Sequence, residues 1–180
     1  KTFCQVKGAP KIPYNIDVLK ELGKKVGNQE EDGVIADHFV IVEGEMDVLT
    51  LAHCGEKYAI SVPDGAPPAN VSEFGTKLDW LKEIEQYIDK ANIIIIATDN
   101  DAPGITLKDE LVRRIGLEKC YTVTYPSGCK DLNEVLIEHG PEAVVNCIAH
   151  AKPYPISGIY TIADYTDKLD RLFQGGITPG

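Results

Sequence analysis

The stretch Ile93-Ile94-Ile95-Ile96-Ala97-Thr98-Asp99-Asn100-Asp101-Ala102-Pro103-Gly104 decides the fold of this chain. Its first five residues are all apolar, which is typical of a central parallel strand that is covered on both faces. The polar residues that follow predict a loop at the carboxyl end of that strand. Apolar positions from Leu107 to Ile115 then predict a helix that Gly116 ends. The repeating unit is therefore a strand, an acidic loop and a helix.

The same alternation of strand and helix runs along most of the chain. Further strands are predicted from short apolar, β-branched runs at residues 38–42, 58–62 and 121–125. Helices are predicted from apolar spacing, caps and glycine stops at residues 17–25, 46–53, 72–88 (capped by Ser72), 131–138 and 141–150. This order predicts an α/β fold with a mainly parallel sheet flanked by helices, in which ligands collect at the carboxyl ends of the strands.

Composition limits the function classes. The 180 residues, 43% hydrophobic and 26% charged, suit one globular domain. A net charge of −10 argues against autonomous nucleic-acid binding, although six lysines make residues 1–25 locally basic. No apolar run of about 18 residues predicts a membrane span and no leader predicts export, so we expect a cytoplasmic protein. Five widely spaced cysteines without a CxxC pair predict neither a zinc site nor a disulfide framework.

Three acidic clusters follow predicted strands. They are Glu43-Gly44-Glu45-Met46-Asp47, Asp99-Asn100-Asp101 and Lys130-Asp131-Leu132-Asn133-Glu134. Because parallel strands end at the same edge of a sheet, we expect these clusters to lie together. Groups that are rich in oxygen and poor in histidine suit Mg²⁺ or Mn²⁺. Alternate residues of an extended segment point the same way, so Asp99 and Asp101 can face one metal ion.

These motifs resemble the Toprim domain, the catalytic fold shared by bacterial-type primases, topoisomerases and related nucleases. The resemblance is carried by Glu43-Gly44 after one strand and Asp99-x-Asp101-x-x-Gly104 after another, about 56 residues apart. Within that superfamily the chain looks like phage or prophage primase-helicases and the Twinkle-like family. The closest similarity lies in residues 42–47, 63–66, 98–104 and 129–134.

The resemblance implies the Toprim catalytic domain of a replicative DNA primase-helicase. Such a domain uses Mg²⁺ or Mn²⁺ to transfer nucleotides from nucleoside triphosphates into RNA primers on single-stranded DNA. It implies catalytic roles for Glu43, as ligand or general base, and for Lys130, which would meet a phosphate. The implied metal ligands are Glu43, Asp99, Asp101 and Asp131.

Three further residues are secondary site candidates. Glu45 and Asp47 could lie on the site or could equally favour the N-terminus of the next helix. Gly65 is expected to serve a backbone turn in either case. Its neighbour Asp64 departs from the amide or imidazole side chain expected there, which weakens the case for nucleotide contact at that loop. No separate organic cofactor is expected.

The resemblance also predicts a division of the chain. Residues 1–33 would end a preceding primase subdomain, residues 34–151 would form the Toprim domain, and residues 152–180 would lead toward a RecA-like helicase domain outside this chain. The parent protein would then be a hexamer. The alternative is a non-priming Toprim-like domain that serves DNA contact and ring assembly in a Twinkle-like helicase. The presence of all four carboxylates favours activity, and the resemblance after Lys152 argues against a nuclease or topoisomerase.

Overall fold

A computed structural model describes residues 8–22, 38–68 and 74–155 of the chain. In it five strands form one sheet in the order β2-β1-β3-β4-β5. The first four strands are mutually parallel, and the last pairs antiparallel with β4. In chain order they are β1 His38–Val42, β2 Ala59–Ser61, β3 Ile93–Ala97, β4 Cys120–Thr122 and β5 Lys152–Pro153. The predicted α/β fold with a mainly parallel sheet is therefore confirmed.

Helices cover both faces of this sheet. They are α1 Glu45–His53, α2 Leu81–Lys90, α3 Ala102–Ile115, α4 Leu132–His139 and α5 Pro141–Ala149, together with 3-10 helices at Ile16–Glu21 and Leu117–Lys119. Four of the predicted helices agree with α1, α3, α4 and α5 to within a few residues, apart from an earlier start of α3. None of the helices in the described part of the chain is long and apolar enough to cross a membrane.

Two of the helix predictions need correction. The helix predicted over residues 72–88 begins only at Leu81, because turns occupy residues 75–80 and Gly75 takes a left-handed φ of 49°. The proposed cap, Ser72, lies outside the described residues. The helix predicted over residues 17–25 is a short 3-10 turn, Ile16–Glu21, within the described part. Trp80 and Tyr87 nevertheless pack in the core.

The central strands explain the two-sided core. Alternate side chains of β1 and β3 point to opposite faces of the sheet. One face packs α2, α3 and the first 3-10 helix against Phe39, Ile41, Ile94 and Ile96. The other face packs α1, α4 and α5 against Val40, Val42, Ile95 and Ala97. A strand that is apolar at every position is thus buried on both sides, as the opening stretch of sequence predicted.

Segments near both predicted domain boundaries contact the sheet. Tyr14 forms an antiparallel bridge with Ser61 at the free side of β2, and the following 3-10 helix buries Leu19 against the core. At the opposite side, β5 lies just beyond the boundary predicted at residue 151. The division at residues 33 and 151 stays a prediction, and residues 156–180, expected to be a linker, lie outside the described residues.

Candidate active site

The sheet brings the predicted site residues to one edge. Strands β1, β3 and β4 are neighbours, and Val42 pairs with Ala97, so Glu43 and Asp99 leave the sheet side by side. The loop that follows β4 is joined to the same place, because the amide of Asn100 donates a 2.7 Å hydrogen bond to the carbonyl of Lys130. The three acidic clusters therefore meet at the carboxyl ends of adjacent strands.

These ends line a cleft of about 700 Å³. The acidic residues and loop residues that face it include Glu43, Glu45, Asp47, Asp64, Gly65, Asp99 and Asp131. Asp101 and Lys130 lie beside these residues but do not line the cleft. All of the predicted candidates are thus gathered at one sheet edge, and most of them share one cavity.

The two carboxylate oxygens of Glu43 differ in their hydrogen bonding. Its Oε1 accepts a 3.1 Å hydrogen bond from the amide of Ala66, whereas Oε2 is buried and has no hydrogen-bond partner among the described residues. Burial raises the pKa of Glu43, and the charge of Asp99 raises it further. Gly65, with a φ of 60°, lets the adjacent loop pass close to this carboxylate. The side chain is therefore suited to receive a cation or a proton.

Asp99 and Lys130 form the charged centre of the site. Lys130 Nζ lies 3.3 Å from Asp99 Oδ2 and 3.6 Å from Asp131 Oδ2. Burial raises the pKa of Asp99 even though the neighbouring ammonium of Lys130 lowers it. The same carboxylate raises the pKa of Lys130, which therefore keeps its positive charge. The single positive charge of Lys130 neutralises only part of the negative charge of the surrounding carboxylates.

Asp101 and Asp131 both act as helix caps. Asp101 Oδ1 accepts a 2.9 Å bond from the amide of Gly104 at the start of α3. Asp131 Oδ1 accepts a 2.7 Å bond from the amide of Glu134 at the start of α4. Each cap uses one carboxylate oxygen. The capping fixes both side chains at the cleft edge.

The third acid of the first cluster is largely buried, although it also lines the cleft. Asp47 is 6% exposed, and its Oδ1 accepts a 3.1 Å hydrogen bond from the amide of Asn133. Burial, followed by the charge of Asp131, raises the pKa of Asp47 to about 7. Its neighbour Glu45 is exposed at the first turn of α1 and lines the cleft. Asp47 therefore joins α1 to α4 beneath the site.

The acid loop after β3 depends on a close backbone approach. A Cβ placed on Gly104 would lie 2.1 Å from the carbonyl oxygen of Asp99. The hydroxyl of Thr98 donates a 2.9 Å bond to the carbonyl of Gly104, and the hydroxyl of Tyr125 donates a 2.9 Å bond to the carbonyl of Thr98. Glycine is required here because no side chain fits between the strand end and α3.

Some functional candidates were not predicted. Glu134, the last acid of the third cluster, accepts a 2.8 Å bond at Oε2 from the amide of Lys130, and the Asp-x-x-Glu spacing of a capping motif is the signal for it. The supporting bonds of Thr98 and Tyr125, and the cleft wall formed by residues 12–17, have no sequence signal of their own. Tertiary packing alone brings them to the site.

The donor set fits a hard divalent cation. It consists of carboxylate oxygens, one of which is buried and has no hydrogen-bond partner among the described residues, and burial together with neighbouring carboxylates raises the pKa values of Glu43 and Asp99. Among the described residues, however, no group of three or more His, Cys, Asp or Glu side chains has the geometry to hold a metal ion. Carboxylate oxygens are the ligand type that Mg²⁺ and Mn²⁺ prefer, and both the metal ion and its individual ligands are proposals.

Comparison with known proteins identifies the family. Residues 40–136 match the Toprim-like family, and the chain belongs to it. In Arabidopsis thaliana, the Twinkle homolog protein, chloroplastic/mitochondrial, is 35% identical over 186 residues, which cover 97% of this chain and 24% of that protein. The Primase homolog protein of the same plant is 36% identical over 169 residues, which cover 87% of this chain and 45% of that protein. The chain thus spans less than half of either relative.

Solved primase structures have the same fold. The primase fragment of the bacteriophage T7 primase-helicase matches with a TM-score of 0.51 and 26% identity over 62% of this chain and 43% of that one. The RNA polymerase domain of Mycobacterium tuberculosis primase DnaG, in complex with DNA, matches with a TM-score of 0.55 and 18% identity over 83% of this chain and 43% of that one. The resemblance to the Toprim domain of Twinkle-like primase-helicases is confirmed.

Proposed function

We propose that this chain is the catalytic domain of a replicative primase-helicase, which synthesises RNA primers on single-stranded DNA from nucleoside triphosphates. The observation that carries the proposal is the convergence of Glu43, Asp99 and Asp131 on one cleft, with a buried oxygen on Glu43 that has no hydrogen-bond partner in the described part of the chain. Structural carboxylates are normally paired when they are buried, so this arrangement indicates a site that is completed by a ligand.

The ligand set proposed for Mg²⁺ or Mn²⁺ is Glu43, Asp99, Asp101 and Asp131. A bound divalent ion would neutralise the negative charge that builds up on the phosphate oxygens during transfer. Burial, together with the charges of neighbouring carboxylates, raises the pKa values of Glu43 and Asp99, so a bound cation would favour their charged forms. Lys130 supplies one positive charge, and the remaining excess favours a cation.

The proposed reaction is attack of a 3′-hydroxyl oxygen on the α-phosphorus of a nucleoside triphosphate. A new oxygen–phosphorus bond forms while the bond from the α-phosphorus to the bridging oxygen breaks, and pyrophosphate leaves. If Glu43 does not hold the metal ion, it is suited to accept the hydroxyl proton, because its Oε2 has no hydrogen-bond partner among the described residues and burial raises its pKa. Lys130, which remains protonated beside Asp99, is suited to bind a phosphate oxygen.

The names of the relatives support this proposal. One Arabidopsis relative is called a primase homolog and the other a Twinkle homolog. A T7 structure, matched with a TM-score of 0.53 and 23% identity over 65% of this chain and 56% of that one, contains primase domains bound to an RNA/DNA hybrid and dTTP. At that identity it shows the fold alone. Template DNA, a helicase domain in the same chain and a hexameric parent are therefore part of the proposal.

The proposed division of the chain is the predicted one, with the Toprim domain at residues 34–151 between an N-terminal primase subdomain and a linker. A phage or prophage source and a cytoplasmic location also stay predictions. The words chloroplastic/mitochondrial belong to the name of the Arabidopsis Twinkle homolog. The chemistry proposed for the cleft is the same in any of these compartments.

The test is primer synthesis by the parent protein on single-stranded DNA with labelled nucleoside triphosphates. We expect Mg²⁺-dependent products that Asp99→Asn abolishes. The exposed Asp89→Asn serves as a matched control that removes one carboxylate outside the cleft. Absence of primers from a folded parent that still forms hexamers and unwinds DNA would instead support the non-priming role in DNA contact and ring assembly.

Binding of Mn²⁺ to the 180-residue chain tests the metal site separately. Titration calorimetry should detect Mn²⁺ binding that Asp99→Asn weakens and Asp89→Asn leaves unchanged. If wild-type and Asp99→Asn chains bind Mn²⁺ equally, the ligand assignment is wrong.

A further inference from the structure

The cleft has a second lining surface that the proposed chemistry does not use. It is formed by residues 12–17, which precede and begin the first 3-10 helix. Two large apolar side chains on it, Ile12 and Tyr14, are 50% and 45% exposed. An aromatic ring and an aliphatic side chain thus share a cavity with a carboxylate cluster.

The backbone around Tyr14 is firmly anchored although its ring is exposed. The carbonyl of Tyr14 accepts a 3.3 Å bond from the amide of Ser61, and Asn15 Nδ2 donates a 3.0 Å bond to the carbonyl of Ala59. Farther along, Leu19 and Leu22 are buried in the core. The main chain that carries the ring is therefore fixed at the cleft, so that little backbone ordering is needed when a ligand binds.

A buried hydroxyl lies beside the same surface. Ser61 is 1% exposed, lines the cleft, and its Oγ has no hydrogen-bond partner among the described residues. A buried hydroxyl that lacks a hydrogen bond is unfavourable unless a ligand or a water molecule supplies that bond. Because Ser61 is the bridge partner of Tyr14, the unpaired hydroxyl and the exposed ring belong to one local structure.

We propose that this surface binds the nucleoside part of the substrate. Tyr14 stacks on the base, and Ser61 Oγ forms a hydrogen bond with the nucleoside, while the triphosphate lies toward the carboxylates and Lys130. This inference rests on the proposed function, since it places one nucleoside triphosphate across the cleft. Stacking on an aromatic ring tolerates every base, because each base has a π face. The cavity volume of about 700 Å³ is in the usual range of small-molecule sites.

The experiment compares ATP with inorganic tripolyphosphate, both in Mg²⁺, by calorimetric titration of the 180-residue chain. Tripolyphosphate engages only the phosphate and metal part of the site, whereas ATP adds the nucleoside. We expect ATP to bind more tightly than tripolyphosphate. Tyr14→Ala should weaken ATP binding by roughly 5- to 150-fold, the range for loss of one base–aromatic stack, and leave tripolyphosphate binding unchanged.

Two variants separate binding from folding. Tyr14→Phe keeps the ring and should keep ATP affinity. Ser61→Ala removes a hydroxyl that has no partner, so it should weaken ATP binding without lowering the melting temperature. Leu117→Ala is the control, because Leu117 is 43% exposed, similar to Tyr14, and does not line the cleft.

The outcomes distinguish this inference from the proposed function. Equal affinity for ATP and tripolyphosphate, or ATP affinity that neither Tyr14→Ala nor Ser61→Ala changes, overturns the nucleoside surface and leaves the phosphate site intact. Failure of both ligands to bind a folded chain overturns the proposed nucleotide site and this inference with it.

Discussion

The substitution Asp47→Asn should make the metal-free protein more stable at alkaline pH. Asp47 is buried, and its pKa is raised to about 7 from an ordinary value of 3.8. Between these two pH values the folded chain retains a proton that the unfolded chain has lost. Stability therefore falls as pH rises from about 4 to about 7, and the loss is complete above pH 7.

The size of the effect follows from the two pKa values. Each pH unit is worth about 1.4 kcal/mol, so the difference corresponds to a loss of up to about 4 kcal/mol at pH 8. Asparagine stays neutral at every pH and keeps an oxygen that can accept the bond from the Asn133 amide. At pH 8 the variant should thus be more stable than the wild type by up to about 4 kcal/mol, and at pH 4 the two should be similar.

Urea unfolding in the presence of a chelator measures this difference. Trp80, the single tryptophan of the chain, is 2% exposed and reports unfolding by fluorescence. With a typical slope of about 2 kcal/mol per molar urea, the midpoint should rise by up to roughly 2 M at pH 8. Asp89→Asn, at an exposed position, controls for the removal of one negative charge.

Two results would refute the reasoning. A midpoint for Asp47→Asn that is below the wild-type value at pH 8 would mean that the charged carboxylate stabilises the fold. A difference between the two proteins that is the same at pH 4 and pH 8 would mean that Asp47 does not titrate in this range.

Three further predictions concern the cleft. Gly104→Ala should destabilise the chain by about 1–3 kcal/mol and weaken Mn²⁺ binding, since its Cβ would lie 2.1 Å from the Asp99 carbonyl oxygen. Thermal melting measures the loss of stability. As a control, Ile105→Ala at the exposed neighbouring position should leave the melting temperature nearly unchanged. Lys130→Ala should strengthen the binding of Mn²⁺ alone, because it removes a positive charge beside Asp99, and should weaken the binding of tripolyphosphate. Calorimetry measures both affinities. If the variant binds neither Mn²⁺ nor tripolyphosphate, the lysine has a structural role. Mg²⁺ at 100 times its dissociation constant should stabilise the wild type by about 2.7 kcal/mol. In thermal melts at the same Mg²⁺ concentration, Glu43→Gln should show a smaller stabilisation. An equal stabilisation of both proteins would exclude Glu43 as a ligand.

Local sequence patterns predicted the elements that build the site. The run Ile93–Ala97 is buried on both faces as its composition indicates, and Asp99 follows it at the sheet edge. The acidic clusters meet because parallel order alone places their strands at one edge. The positions of Glu43 and Asp99 in one cleft were thus accessible from periodicity and from the spacing of the motifs.

The remaining features depend on contacts between distant segments. No local pattern reveals that Tyr14 bridges Ser61, which is 47 positions later in the chain. In the sequence, Asp47 has the position of an acidic residue in the first turn of a helix. Its bond from the Asn133 amide forms only when α1 and α4 pack together. The late start of α2 has a local origin instead, because Gly75 takes a left-handed φ and residues 75–80 form turns ahead of the regular helix.

The short strand β5 has a consequence for the outer side of the sheet. It covers one side of β4, and its own outer side presents Lys152, which is exposed and charged, and Pro153, which has no amide hydrogen. A further strand that approached from solvent would find one donor missing and a positive charge beside it. Within the described part of the chain, this side of the sheet is therefore a poor template for pairing with a strand of a second molecule.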